Sequence, residues 1–208
     1  MPTTLPNRPT MQGEGASPVT RYTYKASLVG SAHQFDLTDA GLSWRIGSRS
    51  GVWPYAEIAS VRLSYRPMTM QARRFRADIE KAGGGRIAIV STTWQTVTLM
   101  TPQDQDYRAF IAELHRRMKA AGSKAALIGG IGPVTYAAAV TMVALLAIAM
   151  VGLLVRALAT SEFTGALFLV AMAVWFAWTV GGFIKRNRPR SYSFDQLPDA
   201  LLPRNQAK

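Results

Sequence analysis

The sequence offers few side chains whose type and spacing could do chemistry. It contains no cysteine, which excludes disulfides, thiolate metal ligands and cysteine nucleophiles. The two histidines, His33 and His115, are far apart and have no carboxylate at ligand spacing, so ordinary solvated or helix-surface histidines are favoured over metal ligands. The run Gly83-Gly84-Gly85 has no Gly-Lys-Ser/Thr after it, which favours a hairpin turn over a phosphate loop. We therefore expect no enzyme, no cofactor and no metal.

Charge is the next feature, because the formal net charge is +12. Nucleic acid is a common partner of such a chain, but no helix-turn-helix, zinc-finger or RNP-like pattern accompanies the charge. Anionic lipid headgroups are the simpler explanation, at about 1 kcal/mol for each basic residue held near a membrane surface. The sequence therefore predicts contact with membrane lipids and no nucleic-acid partner.

Two apolar runs, Ala125–Val155 and Phe163–Ile184, contain no charged residue and no histidine. The predicted spans, residues 133–155 and 163–184, have 23 and 22 residues, against about 20 needed to cross a bilayer. A buried helical pair of a soluble protein is the alternative, but such helices are usually shorter and keep a polar face. The connector Arg156–Glu162 is too short to recross, so residues 123–185 are predicted to form a transmembrane hairpin.

Basic residues flank this hairpin unevenly, with eight outside the two spans and only Arg156 in the connector. By the positive-inside rule both chain termini are expected in the cytoplasm. The two predicted spans would make this a multi-pass membrane protein. The residues expected to contact headgroups are Arg116, Arg117, Lys119, Lys124, Lys185, Arg186, Arg188 and Arg190.

Small residues form a stripe on one side of the second span and predict helix–helix packing. They are Ala166, Ala173, Ala177 and Gly181. The other side is aromatic and is expected to face lipid or another subunit: Phe168, Trp175, Phe176, Trp178 and Phe183. Transport is disfavoured, because neither span contains an ionisable residue.

The chain before the hairpin divides into two parts. Residues 1–19 are rich in Pro, Thr and Gly, which predicts a disordered lead and no secretory signal. Residues 20–122 predict one cytoplasmic domain with seven strands. These strands are Tyr22–Val29, His33–Thr38, Leu42–Ile46, Ile58–Tyr65, Arg73–Glu80, Arg86–Ser91 and Gln95–Met100.

An amphipathic helix is predicted after the strands, with Thr101 as its cap, Pro102 at its first position and Gly122 as its stop. Its apolar positions recur at helical spacing. They are Tyr107, Phe110, Ile111, Leu114 and Met118.

The candidate basic patch and the C-terminal tail can each be interpreted in two ways. The candidate basic patch is either a surface for headgroups or an acidic partner, or a solvated sheet face of little energetic weight. It consists of Arg62, Arg66, Arg73, Arg74 and Arg76. Residues 186–208 form a basic cytoplasmic tail, whose part Ser191–Lys208 is either frayed or a short docking strip, with fraying favoured.

The order of seven strands and one helix, with two local motifs, resembles the bacterial pleckstrin-homology-like (PH-like) domains. The motifs are Phe35-Asp36-Leu37-Thr38-Asp39-Ala40-Gly41-Leu42 and Trp53-Pro54-Tyr55-Ala56-Glu57-Ile58-Ala59-Ser60-Val61. The resemblance implies an α+β, mainly β fold, a seven-stranded partly open barrel capped by the helix, which binds lipids, peptides or proteins without catalysis. It also implies a strand edge beside the helix that is open to an extended peptide. The first hairpin lacks the family's basic cluster, so phosphoinositide binding does not carry over.

The sequence thus predicts a membrane-tethered, non-catalytic recognition or scaffolding module, with an unidentified protein partner, at a bacterial inner membrane. The bacterial assignment rests on the family resemblance alone. The alternative is an accessory structural subunit, whose hairpin packs into a larger integral-membrane complex. Burial of the aromatic side of the second span against another protein would favour the subunit.

Overall fold

A computed structural model describes residues 20–27, 30–67, 73–95 and 100–204, so the lead 1–19 lies outside it. The strands are Arg21–Tyr24 (β1), His33–Thr38 (β2), Gly41–Ile46 (β3), Arg49–Trp53 (β4), Ile58–Pro67 (β5), Arg73–Lys81 (β6), Arg86–Val90 (β7), Thr92–Trp94 (β8), Met100–Pro102 (β9), Ala126–Gly129 (β10) and Arg190–Ser191 (β11). The α-helices are Asp104–Ala120 (α1), Pro133–Ala159 (α2) and Phe163–Arg186 (α3).

The strands form two main sheets and one small pair. The first sheet is an antiparallel meander in the order β1-β2-β3-β4, and the second has the order β11-β10-β5-β6-β7. In the second sheet β10 runs parallel to β5, while the other neighbours are antiparallel. The protein is therefore a mixed α+β structure, with β8 and β9 paired separately.

The core lies between the two sheets and under α1. Alternation along β6 places Phe75, Ala77 and Ile79 in this core. The buried face of α1 carries the five predicted apolar residues, all fully buried. They are Tyr107, Phe110, Ile111, Leu114 and Met118. Burial of this face is what holds α1 against the strands.

The two main sheets do not close into a barrel through a backbone ladder. Instead, the Tyr22 hydroxyl donates to the Val90 carbonyl at 2.7 Å and the Tyr24 hydroxyl donates to the Ala88 carbonyl at 2.6 Å. Side chains of β1 thus bridge to β7, where strand pairing would complete a closed barrel. Of the predicted partly open barrel, the described residues show two sheets that share one core and no closed barrel.

The described residues contain more strands than the seven predicted. The structure adds β4, β8, β10 and β11, and it ends β1 at Tyr24, whereas most of the predicted strand Gln95–Met100 lies outside the described residues. The added strands have only two to five residues, too few for a clear local pattern. β4 and β8 pair with strands nearby in sequence, whereas β10 and β11 pair with distant ones.

The start of α1 also differs from the prediction. Thr101 and Pro102 belong to β9 and pair with β8, and Gln103 precedes the first helical residue, Asp104. The expected end agrees, because Gly122 adopts a φ of +65° and donates its N–H to the Lys119 carbonyl.

The two apolar helices, α2 and α3, contain 27 and 24 residues, with mean hydropathies of 2.7 and 2.1 over their most apolar windows. At about 1.5 Å per residue each is longer than the roughly 30 Å of a hydrocarbon layer. By length and composition both helices are therefore able to cross a membrane, and no residue in those windows is buried.

Candidate functional site

Strand pairing and backbone hydrogen bonds hold the junction between the strands and the apolar helices. Strand β10 leads into α2, α3 leads into β11, and β10 pairs with both β5 and β11. The Gly130 N–H donates to the Leu63 carbonyl at 2.7 Å, and the Ile131 N–H donates to the Asn187 carbonyl at 3.1 Å. Both ends of the helical hairpin are thus hydrogen-bonded at the same sheet edge.

Asn187 is the central side chain of this junction and is fully buried. Its Oδ1 accepts a hydrogen bond from the Tyr65 N–H at 3.0 Å, and its Nδ2 donates to the Phe183 carbonyl at 3.2 Å. The neighbouring Arg186 guanidinium lies 5.1 Å from the centre of the Tyr65 ring, a cation–π arrangement. One asparagine therefore connects the end of α3 to β5.

Asn187 was not predicted from the sequence, because its neighbours from Lys185 to Arg190 indicate only positive charge. An uncharged amide within a basic segment was the available signal. The pair Gly129-Gly130, at the start of an apolar run, was a second signal for close backbone approach.

The eight predicted headgroup residues are split between two regions of the structure. Arg116, Arg117 and Lys119 lie on α1, where each forms an ion pair with a carboxylate of the same chain. The others lie in the segments next to the apolar helices: Lys124, Lys185, Arg186, Arg188 and Arg190. The structure therefore concentrates the positive charge available for a membrane surface in this second group.

Glu113 is the acidic partner of Arg116 and Arg117 on α1. It accepts hydrogen bonds from Arg116 and Arg117 at 2.6 to 2.7 Å, although it is itself nearly buried. The hydrogen bond from Arg116, with support from Arg117, lowers the pKa of Glu113 against the opposing effect of burial. The carboxylate consequently stays ionised at neutral pH and reduces the field that these arginines project.

The predicted basic patch does not act as one cluster. Four of its members lie on one face of the second sheet, because Arg62 and Arg66 alternate on β5 while Arg74 and Arg76 alternate on β6. Arg73 has the opposite parity on β6. Arg74 donates to the Thr92 hydroxyl at 2.9 Å, and Arg76 is paired with Asp78. Among the described residues of that face, Arg62 and Arg66 form no salt bridge, and Arg74 is held by a hydroxyl instead of a carboxylate.

Asp78 explains how this face carries so much charge. Its side chain is only 3% exposed and receives hydrogen bonds from Arg76 and Arg86. Burial opposes ionisation of Asp78, but these two guanidinium groups outweigh burial and lower its pKa. Asp78 thus pairs with two arginines and offsets part of their charge.

The segment after β11 differs from the favoured expectation of a frayed tail, because residues 190–204 pack onto the domain. Leu201 and Leu202 are buried members of the core. Arg108 on α1 donates to the Pro203 carbonyl at 2.7 Å and pairs with Asp199. Lys119 pairs with Asp195 in the same segment. Since Leu127 of β10 is also buried, the domain core extends beyond the predicted boundary at residue 122.

His115 is a buried part of this contact and not a helix-surface residue. Its Nδ1 lies 2.7 Å from the Ile111 carbonyl and its Nε2 lies 2.9 Å from the Tyr192 hydroxyl. The first contact requires a proton on Nδ1, so Nε2 of the neutral ring accepts the proton of the Tyr192 hydroxyl. Burial lowers the pKa of His115 to about 4.

The free energy of unfolding should therefore fall as the solution is acidified. An unfolded His115 binds a proton below its usual pKa of about 6.5, whereas the folded residue stays neutral until about pH 4. Between about pH 7.5 and pH 5 the expected loss is about 2 kcal/mol. Urea unfolding of the purified protein at both pH values measures this loss.

The variant His115→Gln, which cannot titrate, is the control for that measurement. It should remove most of the difference between the two pH values, leaving the smaller contribution of His33, whose pKa burial also lowers. An unchanged pH dependence in His115→Gln would contradict the assignment.

The predicted packing stripe on α3 is distributed unevenly. Ala173 and Ala177 line an apolar cavity of about 340 Å³ between α2 and α3, and Ala166 is buried. A Cβ added to Gly181 would meet no atom within 4 Å. Phe176 also lines the cavity, which differs from its expected position facing lipid. The exposed aromatic side of α3 includes Phe168, Trp175 and Trp178.

Within the described residues, no group of three or more His, Asp or Glu side chains is arranged to hold a metal ion. The chain was also compared with protein-family models, with curated proteins and with solved structures. None of the three comparisons finds a match to this chain.

Proposed function

We propose that the protein is a non-catalytic recognition or scaffolding module, which a two-helix hairpin holds at a bacterial inner membrane. The observation that carries this proposal is the junction. Strands β10 and β11, which flank the hairpin, both belong to the sheet of β5. A domain joined in this way stays beside the hairpin, so any molecule that it recognises is recognised next to the membrane.

Insertion of the hairpin is supported by the exposure of its apolar side chains. Met142 on α2 is 73% exposed and Trp178 on α3 is 84% exposed, among many others. Water would contact most of this apolar surface in a soluble monomer, which soluble proteins avoid. A lipid bilayer removes that cost at both helices.

A cytoplasmic position for the domain is supported by the charges next to the apolar helices. Lys185, Arg186 and Arg188 lie at the end of α3 nearest the domain, while the opposite connector contains Arg156 and Glu162. The positive-inside rule then places the domain and the chain segments attached to it in the cytoplasm.

Single cysteines test this orientation, because the protein has no other thiol. Ser48, Ser161 and Ser193 are exposed and lie in the domain, the connector and the C-terminal segment. An impermeant maleimide applied to intact cells should label Ser161→Cys alone. Permeabilised cells, in which all three variants should react, provide the control, and labelling of Ser48→Cys on intact cells would reverse the orientation.

The PH-like architecture is part of the same proposal, supported by the two antiparallel meanders, the tyrosine bridge and the packing of α1. We propose the recognition surface at a different strand edge from the one beside the helix, which the family resemblance implies. The strand beside α1 is β1, because Tyr22 packs against Tyr107 and Phe110. The Tyr22 and Tyr24 side chains already link this strand to β7. Strand β4 is at the other edge of the first sheet and carries an exposed apolar side chain, Val52, so we place peptide recognition at its outer edge.

The second candidate is the accessory subunit of a membrane complex. It is favoured by the exposed aromatic side chains Phe168, Trp175 and Trp178 on α3, since aromatic residues are enriched at protein interfaces. In this candidate the aromatic side is buried against another membrane protein.

The double variant Trp175→Leu/Trp178→Leu separates the two candidates after purification in mild detergent. A recognition module should keep its co-purifying proteins in this variant, whereas an accessory subunit should lose them. The variant Val52→Lys on β4 provides the reciprocal comparison, because it should disturb only a partner bound at that edge.

A further inference from the structure

A polar cavity lies where the second sheet meets the start of α2. Its volume is about 290 Å³. Side chains from three strands form its floor, and the first turn of the helix forms its wall. The lining residues are Arg62, Ser64, Arg66, Asp78, Glu80, Arg86, Ile131, Gly132 and Thr135. The cavity is thus at the boundary between the polar domain and the apolar hairpin.

Two polar groups in this cavity have unmet hydrogen-bonding capacity. Ser64 is 2% exposed, and its hydroxyl has no hydrogen-bond partner in the described part of the chain. The Nη1 of Arg62 is likewise buried without a partner among the described residues. A buried group in this state destabilises the fold, and a charged group does so more strongly. Both groups are donors, so an acceptor would satisfy them together.

The start of α2 adds further donors on the opposite wall. No side chain caps this helix, and Gly132 is its N-cap residue. A Cβ placed on Gly132 would lie 3.9 Å from Thr135 Oγ1 and 4.0 Å from Arg62 Nη1. The unpartnered guanidinium nitrogen therefore lies beside the helix N-terminus, where the backbone N–H groups and the helix dipole favour an anion.

The charges that line the cavity are not balanced. Three arginines face two carboxylates, and both carboxylates already have partners. Asp78 is paired with Arg76 and Arg86, while Glu80 accepts from the Ser60 hydroxyl and lies 3.8 Å from Arg86. Arg62 and Arg66 form no salt bridge within the described part of the chain, so positive charge remains on the side nearest α2.

We infer that this cavity binds the phosphate of an anionic phospholipid headgroup. Arg62 and Arg66 would supply the charge, Ser64 a hydroxyl donor, and the first turn of α2 the remaining donors. The lipid is favoured over a free phosphate because the cavity reaches Thr135, the third residue of a helix proposed to span the bilayer. The inference thus rests on the proposed membrane insertion and adds a ligand class to it.

Lipid binding to the full chain in detergent tests the inference. Phosphatidylglycerol and phosphatidylcholine are titrated separately, and bound lipid is measured by native mass spectrometry. The wild type should bind phosphatidylglycerol more tightly. Ser64→Ala should weaken that binding about three- to tenfold, and Arg62→Gln/Arg66→Gln should weaken it at least about tenfold.

Two controls keep the result interpretable. Arg45→Gln/Arg49→Gln removes two exposed arginines from the first sheet and should leave lipid binding unchanged. Without lipid, Ser64→Ala should be as stable as the wild type or more stable, because it removes an unsatisfied buried hydroxyl. If the double arginine variant fails to fold, Ser64→Ala decides the outcome alone.

Three results would overturn the inference: unchanged phosphatidylglycerol binding in Ser64→Ala, equal binding of the two lipids by the wild type, or equal losses in both arginine double variants. Inorganic phosphate and glycerol 1-phosphate are added as competitors to identify the source of the phosphate. Displacement by either at concentrations comparable to the lipid would assign the cavity to a free phosphate. The cysteine labelling is independent of these measurements, so it can support membrane insertion even if the cavity binds no lipid.

Discussion

Replacing Leu201 with alanine is expected to lower the free energy of unfolding by about 2 to 5 kcal/mol. Leu201 is fully buried in the core, although it lies in a segment after the apolar helices. Truncation removes apolar contacts and leaves a cavity between that segment and the second sheet. Chemical denaturation of the purified protein, monitored by tryptophan fluorescence, measures the loss.

A matched variant in the same segment is Asp195→Ala. Asp195 is exposed and pairs only with Lys119 among the ion pairs described, so its loss should change stability by less than about 1 kcal/mol. If the tail were frayed, both variants would have the same free energy of unfolding as the wild type. This result would contradict the packing of residues 190–204.

Gly130→Ala is expected to destabilise the junction by about 3 to 5 kcal/mol. Gly130 has a φ of +91°, and an added Cβ would lie 2.4 Å from the Asn187 carbonyl oxygen and 2.6 Å from that of Arg188. Both neighbours are backbone atoms, so the end of α3 must move away. Movement would break the hydrogen bond from Ile131 to Asn187 and disturb the pairing of β10 with β11.

Gly122→Ala isolates the conformational part of this effect. Gly122 also has a positive φ, +65°, but an added Cβ there would meet no atom within 4 Å. It should therefore cost only about 1 to 2 kcal/mol. Equal losses in thermal unfolding of the two variants would show that the backbone contact at Gly130 contributes nothing.

Several features of this protein could be predicted from the sequence because they depend on local composition. The predicted spans, residues 133–155 and 163–184, contain no charge, and they lie within the two long helices α2 and α3. Helical spacing in α1 identified its buried face correctly, because side-chain direction follows from the backbone period. The absence of cysteine excluded thiol chemistry without any structure.

The junction was decided only by the tertiary structure. Residues 126–129 were assigned to the lead of an apolar span, because a four-residue apolar segment has no period that separates strand from helix. Their pairing with β5 joins residues more than 60 positions apart. Gly130 and Asn187 have their roles through this pairing, so the local signals at these two residues do not reveal which groups they contact.

The polar cavity at Arg62 and Ser64 also depends on contacts between segments that are distant in sequence. Arg62 and Arg66 could be predicted to share a strand face with Arg74 and Arg76, but not which of these arginines would lack an acidic partner. Asp78 pairs with Arg76 and Arg86, while the start of α2 lies over Arg62 and Ser64. Sequence therefore determined the types and faces of these residues. Their burial and pairing were set by the packing of a distant helix against the sheet, because desolvation depends on what covers a side chain in space.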